Sequence, residues 1–243
     1  MPDRVMIPWG PFAEPASSLS HLLGALLLGI ATRWLIGHGR EELSRRLALG
    51  AYLAGVGGMF LVSGCYHLVA PGHPWRRFLW HADHAMIWAA IVGTIAATYV
   101  LADLRPRGAV AALWAAGVVG MGLEQFALRG LAPWISPLLY IGMGWVGLFP
   151  FVQLVRLHGW RFTAPFVWAA LTSTGGGIID ALEPRTPWPG VVEAHEVMHA
   201  LILVSMGCFF VAIHRCARLR EEEDGEEEPA LLRANEVTDE VTS

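Results

Sequence analysis

The chain has 243 residues, of which 54% are hydrophobic and 16% are charged, and its formal net charge is −4. A soluble domain of this length would leave too much apolar surface in water, whereas a bilayer core of about 30 Å accepts roughly 20 apolar residues per helix. No basic cluster marks a nucleic-acid interface. We therefore expect membrane lipids as partners and no nucleic acid, and the sequence identifies no protein partner.

Seven apolar segments follow one another along the chain. The N-terminus lacks the order of charges, apolar core and small-residue site that a cleaved signal peptide needs, so we interpret the first segment as mature structure. Lipid offers no hydrogen bonds to the backbone, and spans of this length must therefore be helical. The predicted spans are 17–36, 48–70, 82–102, 108–128, 133–155, 162–180 and 191–213.

The pattern predicts an all-α, polytopic membrane protein with seven transmembrane helices in a bundle. Residues 1–16 would form an N-terminal segment and residues 17–214 the seven-helix domain. Residues 215–243 contain a run of acidic side chains between Glu221 and Glu228. Such a charge run is typical of a solvated, disordered tail.

Arginine is distributed unequally between the two membrane faces. Seven spans place the two termini on opposite sides of the membrane. We call the side that holds the N-terminus side A, and we call the opposite one side B. Five Arg fall on side A and twelve on side B. Because cytoplasmic loops carry the excess of basic residues, we expect the N-terminus outside and the C-terminus in the cytoplasm.

Histidines concentrate near the side A ends of three spans. Span two ends at His67, span three begins near Asp83, and span seven begins with His195 and His199. Residues four apart on a helix share one face, which is the spacing that one tetrahedral metal requires of two ligands from one helix. His67 would supply a third nitrogen and leave the fourth position to water, while Ser63 lies one turn before it. Ionisable groups inside a membrane generally mark function, so we predict a metal site here.

Two rival interpretations use the same histidines. The string from His195 through Glu196 to His199 matches the HExxH pattern of zinc proteases, in which the Glu is the general base. In the last span, however, the downstream candidates for a third ligand are His214, on the opposite face, and the acidic tail. A bis-histidine haem is disfavoured, because two His four apart on one helix cannot be trans ligands of one iron.

Four motifs in order resemble the hemolysin III group of the progestin and adipoQ receptor family, whose superfamily includes alkaline ceramidases. The resemblance covers roughly residues 14–214. The motifs are Glu14-x2-Ser17-x2-Ser20-His21-x2-Gly24, Ser63-x3-His67 with Tyr66 before the His, Asp83-His84 followed by Ile87 and Gly93-Thr94, and His195-x3-His199.

The resemblance implies a zinc cofactor with His67, His195 and His199 as ligands. It also implies that Asp83 holds a water at the metal and that Ser63 sits beside it, so these two are the candidate catalytic residues. Glu14 and His21 match positions near the site without an assigned role. The bacterial group usually has Asn where this chain has Ser17, and this departure affects the local capping or packing of span one.

Three functions remain open at this point. The first is a zinc-dependent hydrolase of a lipid amide or ester, similar to the ceramidase branch, in the bacterial inner (plasma) membrane. The second is a receptor-like or regulatory membrane protein with structural zinc. The third is the pore-forming activity that the group's name implies, although few charged residues occupy the mid-membrane stretches, and a water-filled channel would normally show some.

Overall fold

The computed structural model describes the chain apart from residues 1–6, 10, 11, 38–41, 105–107, 129–131, 133, 187 and 243, and it describes side chains as far as Arg220. Helices dominate this part of the chain, and no β-strand forms within it. The helices are α1 (Pro15–Ala31), α2 (Arg33–Ile36), α3 (Leu43–Leu68), α4 (Arg76–Leu101), α5 (Ala109–Phe126), α6 (Ile135–Trp145), α7 (Leu148–Leu182) and α8 (Ala194–Thr242).

Six stretches of the described chain are long and apolar enough to cross a bilayer. Five of them correspond to one predicted span each. The sixth, Ile135–Leu182, contains 48 residues. At 1.5 Å per residue a straight helix of that length would measure about 72 Å, more than twice the hydrocarbon core.

A reversal at Gly159 divides this long stretch into two arms. Gly159 has φ 77° and ψ 177°, a backbone conformation that is essentially restricted to glycine. The arms then run antiparallel, since Nε1 of Trp145 donates to Oγ1 of Thr174 over 3.2 Å although 29 residues separate them. Six apolar stretches thus give seven membrane-crossing arms, which agrees with the seven predicted spans. The disordered state of the acidic tail stays a prediction.

Helices α3 and α4 form the centre of the bundle. Their backbones meet at Gly55 and Gly93, where a Cβ atom would lie 2.7 Å from the Ala89 carbonyl oxygen and 3.0 Å from the Ala51 carbonyl oxygen, respectively. In lipid, where water does not drive helices together, small residues permit the close packing that stabilises the pair. This contact aligns the side A ends of both helices.

The outer surface of the bundle is apolar. Large hydrophobic side chains are exposed on most of the membrane-crossing helices, including Leu26, Ile30, Leu61, Val118, Val119, Phe149, Trp168 and Val204. Such a surface is unstable in water and matches the acyl chains of a bilayer. The prediction of an all-α integral membrane protein is confirmed.

Two arginines satisfy backbone carbonyls near side B. Pro165 lacks an N–H group, which frees the carbonyl of Arg161 four residues earlier, and Nη1 of Arg215 donates to that oxygen over 2.9 Å. Arg45 is buried and donates to the carbonyls of Leu101 and Ala217 over 2.9 and 3.0 Å. These bonds connect the helix ends at side B, whereas the candidate metal ligands lie at side A.

Candidate metal centre

Three histidines meet where α3 ends and α8 begins. His67 is the penultimate residue of α3, while His195 and His199 occupy the first two turns of α8. One ring nitrogen from each lies within 4.8 Å of the other two. The predicted convergence of these three side chains, which are up to 132 positions apart in the sequence, therefore occurs in the fold.

Carboxylates orient two of the three imidazole rings. Oε2 of Glu14, just before α1, lies 2.5 Å from Nδ1 of His67. Oδ1 of Asp180, near the end of α7, lies 2.8 Å from Nδ1 of His195. An ionised carboxylate only accepts hydrogen bonds, so both Nδ1 atoms carry the proton and donate.

This tautomer leaves a lone pair on each Nε2, and the Nε2 atoms of His67 and His195 lie 3.4 Å apart. Two lone pairs that face each other repel unless a positive charge lies between them. Nitrogens about 2.0–2.1 Å from one tetrahedral zinc ion would be separated by roughly 3.4 Å. The donor set and its spacing therefore fit a metal ion.

Glu14 itself is held by a second partner. Arg76, at the start of α4, forms an ion pair with its Oε1 atom. Burial raises the pKa of the Glu14 carboxyl, but hydrogen bonds and charges from His67 and Arg76 outweigh that effect and lower the pKa to about 2. Glu14 thus remains an ionised acceptor at neutral pH, and it links the end of α3 to the start of α4.

His199 has different surroundings. Its side chain is buried, and among the described side chains none forms a hydrogen bond with its Nδ1 atom. Instead, its ring stacks on that of His21, with 3.8 Å between centroids and 9° between planes. His21 in turn meets Phe60 edge to face at 5.3 Å.

Asp83 and Ser63, the two candidate catalytic residues, lie near the histidines, and their catalytic role stays a prediction. Both side chains are buried. The Asp83 carboxylate lies close to the Ser63 hydroxyl and to the imidazoles of His67 and His195. A buried carboxylate beside two of the three clustered imidazoles can accept a proton or hold a water molecule.

Glu196 caps the start of α8 and is not part of the histidine cluster. Its Oε2 accepts the backbone N–H of Glu193 over 2.9 Å, which is the capping-box arrangement at the N-terminus of a helix. Its Oε1 accepts from Ser17 Oγ over 2.7 Å. Both oxygens therefore have donors, and the HExxH interpretation lacks its general base. Ser17 consequently packs span one against α8.

Other histidines on side A lie outside the cluster. Nδ1 of His84 pairs with the Trp80 carbonyl over 2.9 Å, and His73 is exposed and accepts the backbone N–H of Trp75. Position along a span does not determine the direction in which a side chain points around the helix.

Sequence reasoning missed Asp180. It stands at the end of span six, after a run of three glycines, and an acidic residue at the end of an apolar span was the available signal. Its role becomes visible only when α7 and α8 pack together, because 15 positions separate it from His195.

The chain also matches a known protein family. The model of the family described as haemolysin-III related matches residues 11–210. This range contains Glu14, Asp83, Asp180 and the three converging histidines, and it reaches into each of the membrane-crossing arms.

Proposed function

The chain belongs to the haemolysin-III related family, and from this premise we propose that it is a membrane protein that binds zinc through His67, His195 and His199 and hydrolyses a lipid amide or ester. The observation that carries the proposal is the pair of Nε2 atoms facing each other at 3.4 Å. Imidazole nitrogen is a preferred zinc ligand, and three protein ligands leave one position open for chemistry.

Bound zinc would act as a Lewis acid, which lowers the pKa of a coordinated water to about 7. Asp83 would accept the proton that this water loses and return it to the leaving amine or alcohol. Ser63, whose hydroxyl lies close to Asp83, would donate a hydrogen bond that keeps the carboxylate in place. Both side chains are buried, which strengthens these polar interactions relative to water.

The membrane location of the site supports a lipid as the substrate. The exterior of the bundle is apolar, and the histidines lie at the ends of membrane-crossing helices. An amide or ester bond near a lipid headgroup would reach this depth without leaving the membrane. The excess of Arg on side B favours an orientation in which side B is cytoplasmic. In a bacterial inner membrane the metal centre would then open to the non-cytoplasmic side.

Metal analysis of the purified protein tests the centre. We expect one zinc per chain in the wild type and loss of most of it in His195→Ala and His199→Ala. The exposed His73 lies on the same side, and His73→Ala is the matched control that keeps its zinc. Wild-type stoichiometry in the two ligand variants would refute the assignment.

Release of fatty acid from a panel of lipid amides and esters tests the reaction. Asp83→Asn should retain zinc and lose hydrolysis about 100-fold or more, whereas Asp103→Asn, at the far end of the bundle, should behave as the wild type. A wild-type protein that holds zinc and cleaves no member of the panel would favour the receptor-like alternative. Ion flux in liposomes that persists in every ligand variant would instead support a pore.

A further inference from the structure

The three candidate ligands are not positioned by the same means. His67 and His195 each donate a hydrogen bond from Nδ1 to a carboxylate. Such partners normally fix the orientation of a metal-binding imidazole. The carbonyl of Ser17 lies close to His199, but the described chain supplies no hydrogen bond to Nδ1 of that ring. The orientation of the His199 ring therefore depends on contacts through its faces as well as on the nearby Ser17 carbonyl.

The ring of His21 makes such a face contact with His199. The two rings are almost parallel, with 3.8 Å between their centroids and 9° between their planes. Behind His21, the Phe60 ring closes the stack at 74°. All three side chains are buried, with 4% exposure for His21 and 2% each for His199 and Phe60. The His199 ring therefore cannot rotate about its Cβ–Cγ bond without displacing His21.

The nitrogens of His21 are not used elsewhere in the described structure. Neither Nδ1 nor Nε2 has a hydrogen-bond partner, although a buried polar atom generally has one. Hydrogen bonding therefore does not account for this side chain, and its contacts are made through the ring face and edge. Aromatic pairs of this kind stabilise a fixed relative orientation.

Packing of α1 places the His21 ring. The hydroxyl of Ser18 donates to the Gly64 carbonyl of α3 over 2.9 Å. One turn after His21, a Cβ atom at Gly24 would lie 2.9 Å from Leu203 of α8 and 3.0 Å from Phe60 of α3. Helix α1 thus packs against α3 and α8, which carry the candidate ligands, through residues before and after His21.

We propose that His21 is a positioning residue for the metal centre, which holds the His199 ring in its metal-binding orientation by face-to-face stacking. The inference rests on the proposed metal site and does not depend on hydrolysis. It assigns Glu14, Asp180 and His21 as three supports, one for each candidate ligand.

Three variants of the full-length protein in detergent test this assignment. His21→Ala removes the stack, His21→Phe keeps an aromatic face without nitrogens, and His73→Phe is a control on the same side of the membrane. Zinc affinity is measured by competition with a chromophoric chelator, and the Co²⁺-substituted protein is examined by its visible absorption, which reports ligand geometry. Size-exclusion profiles show that each variant is folded.

We expect His21→Ala to weaken zinc binding 10- to 100-fold, the range found for partners that orient ligands, and to alter the Co²⁺ spectrum. His21→Phe should recover affinity to within about threefold and restore the spectrum, and His73→Phe should change neither. Unchanged affinity in His21→Ala, or equal losses in the Ala and Phe variants, would overturn the stacking role.

The outcome is distinguishable from failure of the proposed reaction. A wild-type protein that binds zinc without hydrolysing lipids contradicts the hydrolase and leaves the test of His21 intact. A wild-type protein that binds neither zinc nor Co²⁺ overturns both the metal site and the role of His21.

Discussion

Glu14 and Asp180 make similar contacts with different histidines. Each accepts a hydrogen bond from Nδ1 and thereby directs Nε2 into the cluster. Glu14 is further anchored by Arg76, so its carboxylate has little freedom to turn away. A carboxylate partner also raises the basicity of a ligating imidazole. These residues therefore matter for metal binding although neither is a candidate ligand.

Replacement of Glu14 by Gln should weaken zinc binding about 10- to 100-fold, because the amide is neutral and orients the imidazole less strongly than a carboxylate does. Chelator competition measures the effect. Glu42→Gln is the matched control, since Glu42 is exposed and pairs with Arg220 near side B. Equal affinities in the wild type and Glu14→Gln would show that the hydrogen bond does not support the ligand.

Glu196→Ala should leave zinc content unchanged, because both carboxylate oxygens are used in capping α8 and in binding Ser17. Loss of the capping interaction should lower the free energy of unfolding by about 0.5–2 kcal/mol, measured as thermal unfolding in detergent. The protease interpretation predicts the opposite pattern, with normal stability and abolished peptide hydrolysis.

At the level of elements, the reversal at Gly159 decides how many times the chain crosses the membrane. The flanking arms contact each other through Trp145 and Thr174, and a straight continuation would carry the second arm out of the bilayer. The same turn brings Asp180 back to side A, where it meets His195. A single backbone conformation in the side B connection thus helps to build the metal centre on the other side.

Gly159→Ala should destabilise the protein by about 1–3 kcal/mol, because a side chain is strained at φ 77° and ψ 177°. Thermal unfolding in detergent measures the loss. Gly142→Ala is the control, since Gly142 lies within α6 and has open space where its Cβ atom would be. If both variants unfold at the same temperature, the conformation of Gly159 does not limit stability.

For the whole molecule, the candidate ligands connect the end of α3 to the start of α8. A metal bound there would therefore stabilise the bundle as a whole, because a ligand that binds only the folded state adds to its stability by mass action. With free zinc at 100 times the Kd, this contribution is about 2.7 kcal/mol.

Removal of zinc with a chelator should accordingly lower the unfolding temperature of the wild-type protein in detergent, and added zinc should restore it. His199→Ala serves as the control, since a variant that binds no zinc should unfold at the same temperature with and without chelator. If the wild-type protein unfolds at the same temperature with and without chelator, no metal bridges the two helices.

Local sequence features predicted much of this architecture. Apolar length determines which segments enter the bilayer, because lipid tolerates only backbone that satisfies its own hydrogen bonds. The i, i+4 spacing of His195 and His199 places both on one helical face wherever that helix lies. Span order then brings His67 to the same side of the membrane. These properties follow from hydropathy, local spacing and the order of the spans, and they are readable without the fold.

Tertiary packing decided the rest. The sequence by itself determined the helical membrane class, the seven spans and the three converging histidines. Only the fold paired Asp180 with His195, stacked His21 on His199 and turned Glu196 toward Ser17. The physical reason is rotation about the helix axis. Hydropathy places a residue at a depth in the membrane, whereas packing against neighbouring helices determines which side chain it faces.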